Sequence, residues 1–165
     1  HPMWFEPMEW LGSKIAKEFP LNLVTPHPKY RLHSQLNNTW IRDLEEVDGR
    51  EPIWMHPKDA AKRGIQNGDI VRVFNKRGQV LAGAVVTEAV MQGVVRMQEG
   101  AWYDPSEPGK AGTLCRHGDV NVLIPDVGTS ELAQGNQATA LVEIEKFKGE
   151  VPEIGIFKAP KIKGV

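Results

Sequence analysis

The sequence predicts a mainly β domain with short helices, closed into a small barrel. Three observations carry this. Several short runs alternate apolar and polar residues between turn signals, only one segment holds a full set of helix start and stop signals, and strands never alternate with long helical patterns as a βαβ sheet requires. At 165 residues the chain is one domain's worth, long enough to bury a core.

Taken in order, residues 1–20 hold Trp4, Phe5, Met8, Trp10, Leu11, Ile15 and Phe19 among Pro and Gly, and residues 9–19 read as a short amphipathic helix. So many aromatics form an exposed apolar patch unless a larger body covers them. Residues 21–25 alternate as a strand that Pro26 and Pro28 end. Residues 52–64 read as a helix, with Pro57 and Asp59 in the first turn, Lys62 and Arg63 in the last, and Gly64 as the stop. Gly68-Asp69 is a turn, 70–74 a strand, Lys76-Arg77-Gly78 a reversal, 79–87 a second strand and 94–98 a third. Residues 99–119 form a long Gly-, Pro- and charge-rich loop, 121–124 an ordered stretch and 141–147 a last alternating strand. From Lys148 the chain is Pro-, Gly- and Lys-rich and is expected to wrap outward or fray. The expected division is a lead-in segment over 1–29, a barrel over 30–150 and a tail over 151–165.

Composition narrows function by exclusion. A net charge of −1 offers no field for nucleic acid or an anionic membrane, and no apolar run approaches a membrane span, so neither nucleic acid binding nor membrane insertion is expected. The lone Cys115 excludes a disulfide framework and a multi-cysteine metal site, and reads as a small buried residue. No phosphate loop, nucleophile elbow or His-Glu-x-x-His is present. The five histidines (His1, His27, His33, His56, His117) show no pair at ligand spacing. No catalytic residue and no metal ligand is therefore assigned. The start at His1-Pro2, without Met or leader, reads as a piece of a longer polypeptide.

Two polar segments stand out. Residues 30–38 (Tyr-Arg-Leu-His-Ser-Gln-Leu-Asn-Asn) gather a cation, an imidazole, a hydroxyl and amides in one loop after a strand. Such a set recognises a polar heterocycle, or is a solvated loop with self-capping Asn and Ser. Residues 121–137 collect Asn121, Thr129, Ser130, Gln134, Asn136 and Gln137 around Gly128 and Gly135. Here the bland reading is two turns and a helical piece capped by Thr129 or Ser130, which leaves the amides open to ligand contact. Trp102-Tyr103 either stacks on a ligand or anchors its long loop on the core.

At these segments the chain resembles the C-terminal cofactor-binding domain of the dimethyl sulfoxide / trimethylamine N-oxide / biotin sulfoxide reductase family. The resemblance is carried by residues 23–36 (Leu-Val-Thr-Pro-His-Pro-Lys-Tyr-Arg-Leu-His-Ser-Gln-Leu) and by 56–71, a helix–turn–strand shared widely among molybdopterin enzymes. The segments 118–123, 128–134 and 142–147 carry it further, and it covers nearly the whole chain. It implies a double-psi β-barrel whose end loops wrap the pterin parts of bis-(molybdopterin guanine dinucleotide) molybdenum. By carry-over it implies cofactor contacts at Leu32, His33, Ser34, Gln35, Asn37, Thr39, Asn121, Asn136 and Gln137. In this branch molybdenum is held by dithiolene sulfurs and a serine from an earlier domain, so the resemblance assigns no metal ligand here. It implies a parent oxidoreductase that reduces N-oxides or S-oxides by oxygen-atom transfer, as in anaerobic respiration. The implied partners are the parent's remaining domains and an electron-donor cytochrome or other redox protein. The implied compartment is the periplasm, or the cytoplasm for a biotin sulfoxide reductase-like parent. The chain alone is expected to be inactive and to hold cofactor weakly or not at all. The alternative is a free-standing barrel that acts as a protein-interaction module. A self-processed decarboxylase on the same kind of barrel ranks low, because its scissile Gly-Ser would have to be Gly12-Ser13, near the N-terminus rather than at a strand junction.

Overall fold

The computed structural model describes residues 1–128, 131 and 139–159. Seven strands occur in chain order: β1 (Leu21–Val24), β2 (Pro52–Met55), β3 (Ile70–Phe74), β4 (Gln79–Val86), β5 (Val94–Met97), β6 (Leu114–Cys115) and β7 (Thr139–Lys146), with one short helix, α1 (Pro57–Lys62), after β2. Neighbours run β2-β5-β1-β7-β3-β4, and a further β2–β4 pairing closes these six strands on themselves, with β6 added to the start of β4. β1 with β5 and β2 with β4 are parallel, and the other barrel pairings are antiparallel. This closure is the double-psi β-barrel.

Alternation fills the barrel. Leu21 and Leu23, Ile53 and Met55, Val71 and Val73, Val80, Ala82 and Ala84, Val95 and Met97, and Ala140, Val142 and Ile144 are buried in one cluster, every second residue of each strand. The small residues Ala82, Gly83 and Ala84 suit a tight barrel, and a side chain at Gly83 would strike Val47, its Cβ falling 2.2 Å from the valine's.

Four differences from the sequence reading matter. The expected helix over 52–64 divides into β2 and α1. His56 caps α1, its side chain accepting from the Lys58 amide. A run as short as Ile53-Trp54-Met55 reads equally as strand or helix by periodicity. The expected helix over 9–19 is only a 3-10 turn, Lys14–Lys17. Trp10 folds its ring over Gly12, where an added Cβ would fall 2.2 Å from it. β1 is a full barrel strand although it falls before residue 30, so the barrel begins at Leu21. The described residues after Lys148, 149–159, do not simply fray. Arg50 donates to the Pro152 carbonyl, the Gly155 amide donates to Asp104 Oδ2 at 2.9 Å, and Phe157 packs on Trp102, His117 and Arg42.

The N-terminal segment also completes the sheet. Beyond Phe74, β3 no longer covers β7, which leaves the Leu141 backbone in need of partners. Glu9 accepts the Leu141 amide at 2.8 Å, and Asn75 Nδ2 donates to the Leu141 carbonyl at 3.2 Å. Glu9 also takes both terminal nitrogens of Arg77, whose Nε donates to the Leu123 carbonyl. Burial alone would raise the Glu9 carboxyl, but the Arg77 bonds and the Leu141 amide outweigh it and hold it below the ordinary carboxylate range.

Candidate functional site

Register gathers the loops at one end of the barrel. Val24 lies level with Thr139 and Arg96, Met97 with Ile53, and Phe74 with Gln79. β1, β3 and β5 therefore run toward this end, and β2, β4 and β7 start from it. The connections 25–51, 75–78 and 98–113 emerge here, and Leu123 accepts from Asn75 just beyond β3, so the first polar segment and the described start of the second share one barrel end.

The first is a tight double reversal. Leu32 and Gln35 bridge, with the Gln35 amide on the Leu32 carbonyl at 2.9 Å, and the Thr39 amide closes a second turn on Leu36. His33 has φ +50° and Leu36 φ +69°, a left-handed region that suits glycine. Such strain persists only where surroundings impose it, and it clusters at functional loops. Leu32, His33, Ser34 and Gln35 are exposed, a row of side chains held out on a rigid turn.

Asn37 and Thr39 support that turn. Asn37 is fully buried, its Oδ1 accepts the Trp102 amide at 2.9 Å, and its Nδ2 has no partner among the described residues. Thr39 caps the 3-10 turn Trp40–Leu44 by accepting from the Ile41 amide, and its hydroxyl donates to the Leu36 carbonyl. Trp102 donates its indole N–H to the Ser34 carbonyl at 2.9 Å and packs its ring on Phe157 at 5.8 Å, which is the anchoring role. Gly100, at φ +91°, lies so close that an added Cβ would fall 2.1 Å from the His33 carbonyl oxygen.

Beneath the turn lies a charged layer that sequence reasoning missed. Arg31 donates to Glu51 at 2.7 Å and to the Glu99 carbonyl, and it and Glu51 are almost wholly buried. Burial pushes the Glu51 carboxyl up to about 7, against the opposing pull of the Arg31 guanidinium. Fully buried His117 bonds Glu46 at 2.9 Å. The Glu51 amide donates to the His117 carbonyl, and Gly118 at φ +143° passes so close that an added Cβ would fall 2.5 Å from the Glu51 Cβ. The Arg31–Glu51 pair thus ties the first polar segment to the start of the second. No periodicity marks these residues, since each comes from a loop and pairs across the barrel end.

Just before the second segment stands Asp119, buried and raised in pKa by that burial, which caps the 3-10 turn Val120–Leu123 by accepting the Asn121 amide at 3.0 Å. Asn121 is exposed. Gly78 meets the Val122 carbonyl at 2.6 Å from where its Cβ would stand, so only glycine lets the β3–β4 turn lie against this segment. Asn136, Gln137, Gln134 and the expected caps Thr129 and Ser130 lie outside the described residues.

The histidines are not all scattered. His27 and His33 stand edge to face with ring centroids 4.8 Å apart, and both Nδ1 atoms lie 2.8 Å from the same Glu99 oxygen. Burial would raise the Glu99 carboxyl, but the two imidazoles prevail and hold it low. A six-residue separation inside a loop gives no ligand-spacing signal, and Glu99 is far away in sequence. Cys115 is buried, with the Asp104 amide 3.5 Å from its sulfur. No helix among the described residues is long and apolar enough to cross a membrane.

Comparison with known proteins converges on one family. The family model described as "Molydopterin dinucleotide binding domain" matches residues 21–142. The chain is 56% identical over 163 residues to a trimethylamine-N-oxide reductase of Haemophilus influenzae. It is 55% identical over 162 residues to a dimethyl sulfoxide/trimethylamine N-oxide reductase of Cereibacter sphaeroides. Each match covers 98% of this chain and 20% of the relative, so the chain spans about a fifth of the length of the curated relatives it matches. Among solved structures, acetylene hydratase from Pelobacter acetylenicus superposes with a TM-score of 0.70 at 20% identity, covering 88% of this chain and 21% of that one. At that identity the likeness concerns the fold.

Proposed function

The chain belongs to the molydopterin dinucleotide binding domain family, and on that premise we propose that its loop-bearing barrel end closes over the pterin parts of a bis-(molybdopterin guanine dinucleotide) molybdenum cofactor within a larger N-oxide or S-oxide reductase. The observation that carries this is the rigid turn 32–35, exposed at the same barrel end as Asn121.

The donor set fits the group. Pterins and guanine present paired donors and acceptors, and Ser34, Gln35 and Asn121 offer hydroxyl and amides while His33 offers an imidazole. The Nδ2 of Asn37, at the base of the same loop, is buried without a partner among the described residues, which supports an end whose polar groups are completed by something further. When bound, the cofactor supplies two-electron oxygen-atom transfer, and the protein binds and orients it. Ser34, Gln35 and Asn121 would hold pterin edges, with Asn136 and Gln137 as further candidates, and Leu32 would shield the group from water. Asn37, Thr39 and Trp102 act behind them by fixing the turn.

The remaining four fifths of a parent like these relatives would cover the exposed Trp4, Phe5 and Met8, together with Leu32, Leu36 and Trp40. Membership of the reductase branch, a periplasmic site of action in anaerobic respiration and an electron-donating cytochrome or similar redox partner are the finer parts of this reading. The first rests on the identity to the two reductases, and the compartment and redox partner rest on the family resemblance. The test is cofactor content of the full-length protein. Ser34→Ala with Gln35→Ala should lower molybdenum and guanine nucleotide per polypeptide several-fold while the protein stays folded. Full loading in the double variant would refute the assignment.

A further inference from the structure

Residues 152–157 form a strap across the loops of this barrel end, fixed at three points. The Pro152 carbonyl accepts from Arg50, a buried residue whose other terminal nitrogen donates to the Asp48 carbonyl. The Gly155 amide donates to Oδ2 of buried Asp104, whose Oδ1 accepts from Arg116 at 2.7 Å. The Phe157 ring is the third point. It stands edge to face with His117 at 4.9 Å, packs on Trp102 at 5.8 Å and lies against the Arg42 guanidinium at 4.2 Å. The three anchors come from separate loops, so a short run near the end of the chain ties together parts that meet nowhere in the sequence.

Two of the side chains under Phe157 hold other loops in turn. Fully buried His117 bonds Glu46, and its carbonyl accepts the Glu51 amide. Trp102 gives its indole N–H to the Ser34 carbonyl and its amide to Asn37 Oδ1. Trp102 is itself half-buried, so its ring keeps the direction that reaches Ser34 by packing on Phe157. We infer that Phe157 is a positioning residue: the strap locks Trp102, and through it the turn 32–35, in the conformation that presents Ser34 and Gln35. The hold on the turn is a property of this chain alone, and its consequence for cofactor rests on the function proposed above.

Amide hydrogen exchange of the 165-residue chain reads the lock. The reporters are the Gln35, Thr39 and Trp102 amides, each hydrogen-bonded within the turn or to its support. Phe157→Ala should speed their exchange by about tenfold or more through local opening, while amides inside the barrel strands change far less. Phe157→Leu, which keeps apolar bulk against a failure to fold, should show the same pattern at smaller size, and Phe157→Tyr, which keeps the ring, should behave as wild type. Val73→Ala, in the barrel core away from the strap, should lower stability without singling out the reporters. In the full-length protein, Phe157→Ala should lower molybdenum and guanine nucleotide per polypeptide several-fold. Unchanged exchange at the three reporters, or a rise shared equally by the barrel amides and matched by Val73→Ala, would overturn the inference. So would full cofactor content in Phe157→Ala beside the loss expected of Ser34→Ala with Gln35→Ala. Full content in both would refute the cofactor reading instead, and the exchange result would still decide whether the strap holds the turn.

Discussion

Removing Glu9 should reveal how far the N-terminal segment is part of the barrel. Glu9→Ala deletes the acceptor for the Leu141 amide and for both terminal nitrogens of Arg77. Leu141 is fully buried, and a buried N–H left without a partner costs about 1–3 kcal/mol. Arg77 is 29% exposed, so solvent screens its pairing, which adds about 1 kcal/mol at most. The expected loss is about 3 kcal/mol, or roughly 6–12 °C in Tm for a domain of this length. Urea unfolding at neutral pH reads it directly, with an unchanged denaturant slope. Because the Glu9 carboxyl is held below its ordinary value, its contribution is present above the unfolded pKa and is lost as pH falls through the folded one. The gap between wild type and Glu9→Gln should therefore narrow in acid. A loss below about 1 kcal/mol in Glu9→Ala would mean that β7 finds its partners elsewhere.

Other perturbations have equally definite outcomes. Gly100→Ala puts a Cβ 2.1 Å from the His33 carbonyl oxygen at φ +91°, so it should destabilise by at least about 2 kcal/mol and raise amide hydrogen exchange over residues 32–37. Glu51, raised to about 7, binds its proton more tightly folded than unfolded, so its contribution to stability falls as pH rises from about 4.5 to 7, and Glu51→Gln should flatten that part of the wild-type stability profile. Phe157→Ala removes the ring that packs on Trp102, His117 and Arg42, and should cost about 2–4 kcal/mol and expose residues 150–159 to proteolysis.

Much of the barrel was legible because alternation is a local signal. β3, β4, β5 and β7 declare themselves through apolar residues at every second position, many of them β-branched, between turn residues, within a residue or two of their observed bounds. β2 was hidden because Pro52 to Met55 is too short for a period and is followed at once by the strong start signals of α1. Glu9 and Phe157 could not be read as structural, because each acts through partners forty or more residues away and interrupts no pattern of its own. The same holds within the site. Its exposed row, Leu32 to Gln35, showed as a dense polar loop, whereas the Arg31–Glu51 pair beneath it and the Glu99 carboxylate between two histidines exist only once the loops meet.

The central claim is that the barrel end bearing residues 32–35 and Asn121 faces a pterin cofactor. An experimental structure of the full-length protein with cofactor bound tests it most directly. The account predicts side-chain atoms of Ser34, Gln35 and Asn121 within hydrogen-bonding distance of the pterin or nucleotide, about 3.2 Å or less. Cofactor density approached instead from the opposite end, past α1 and the turn at Gly68, would contradict it.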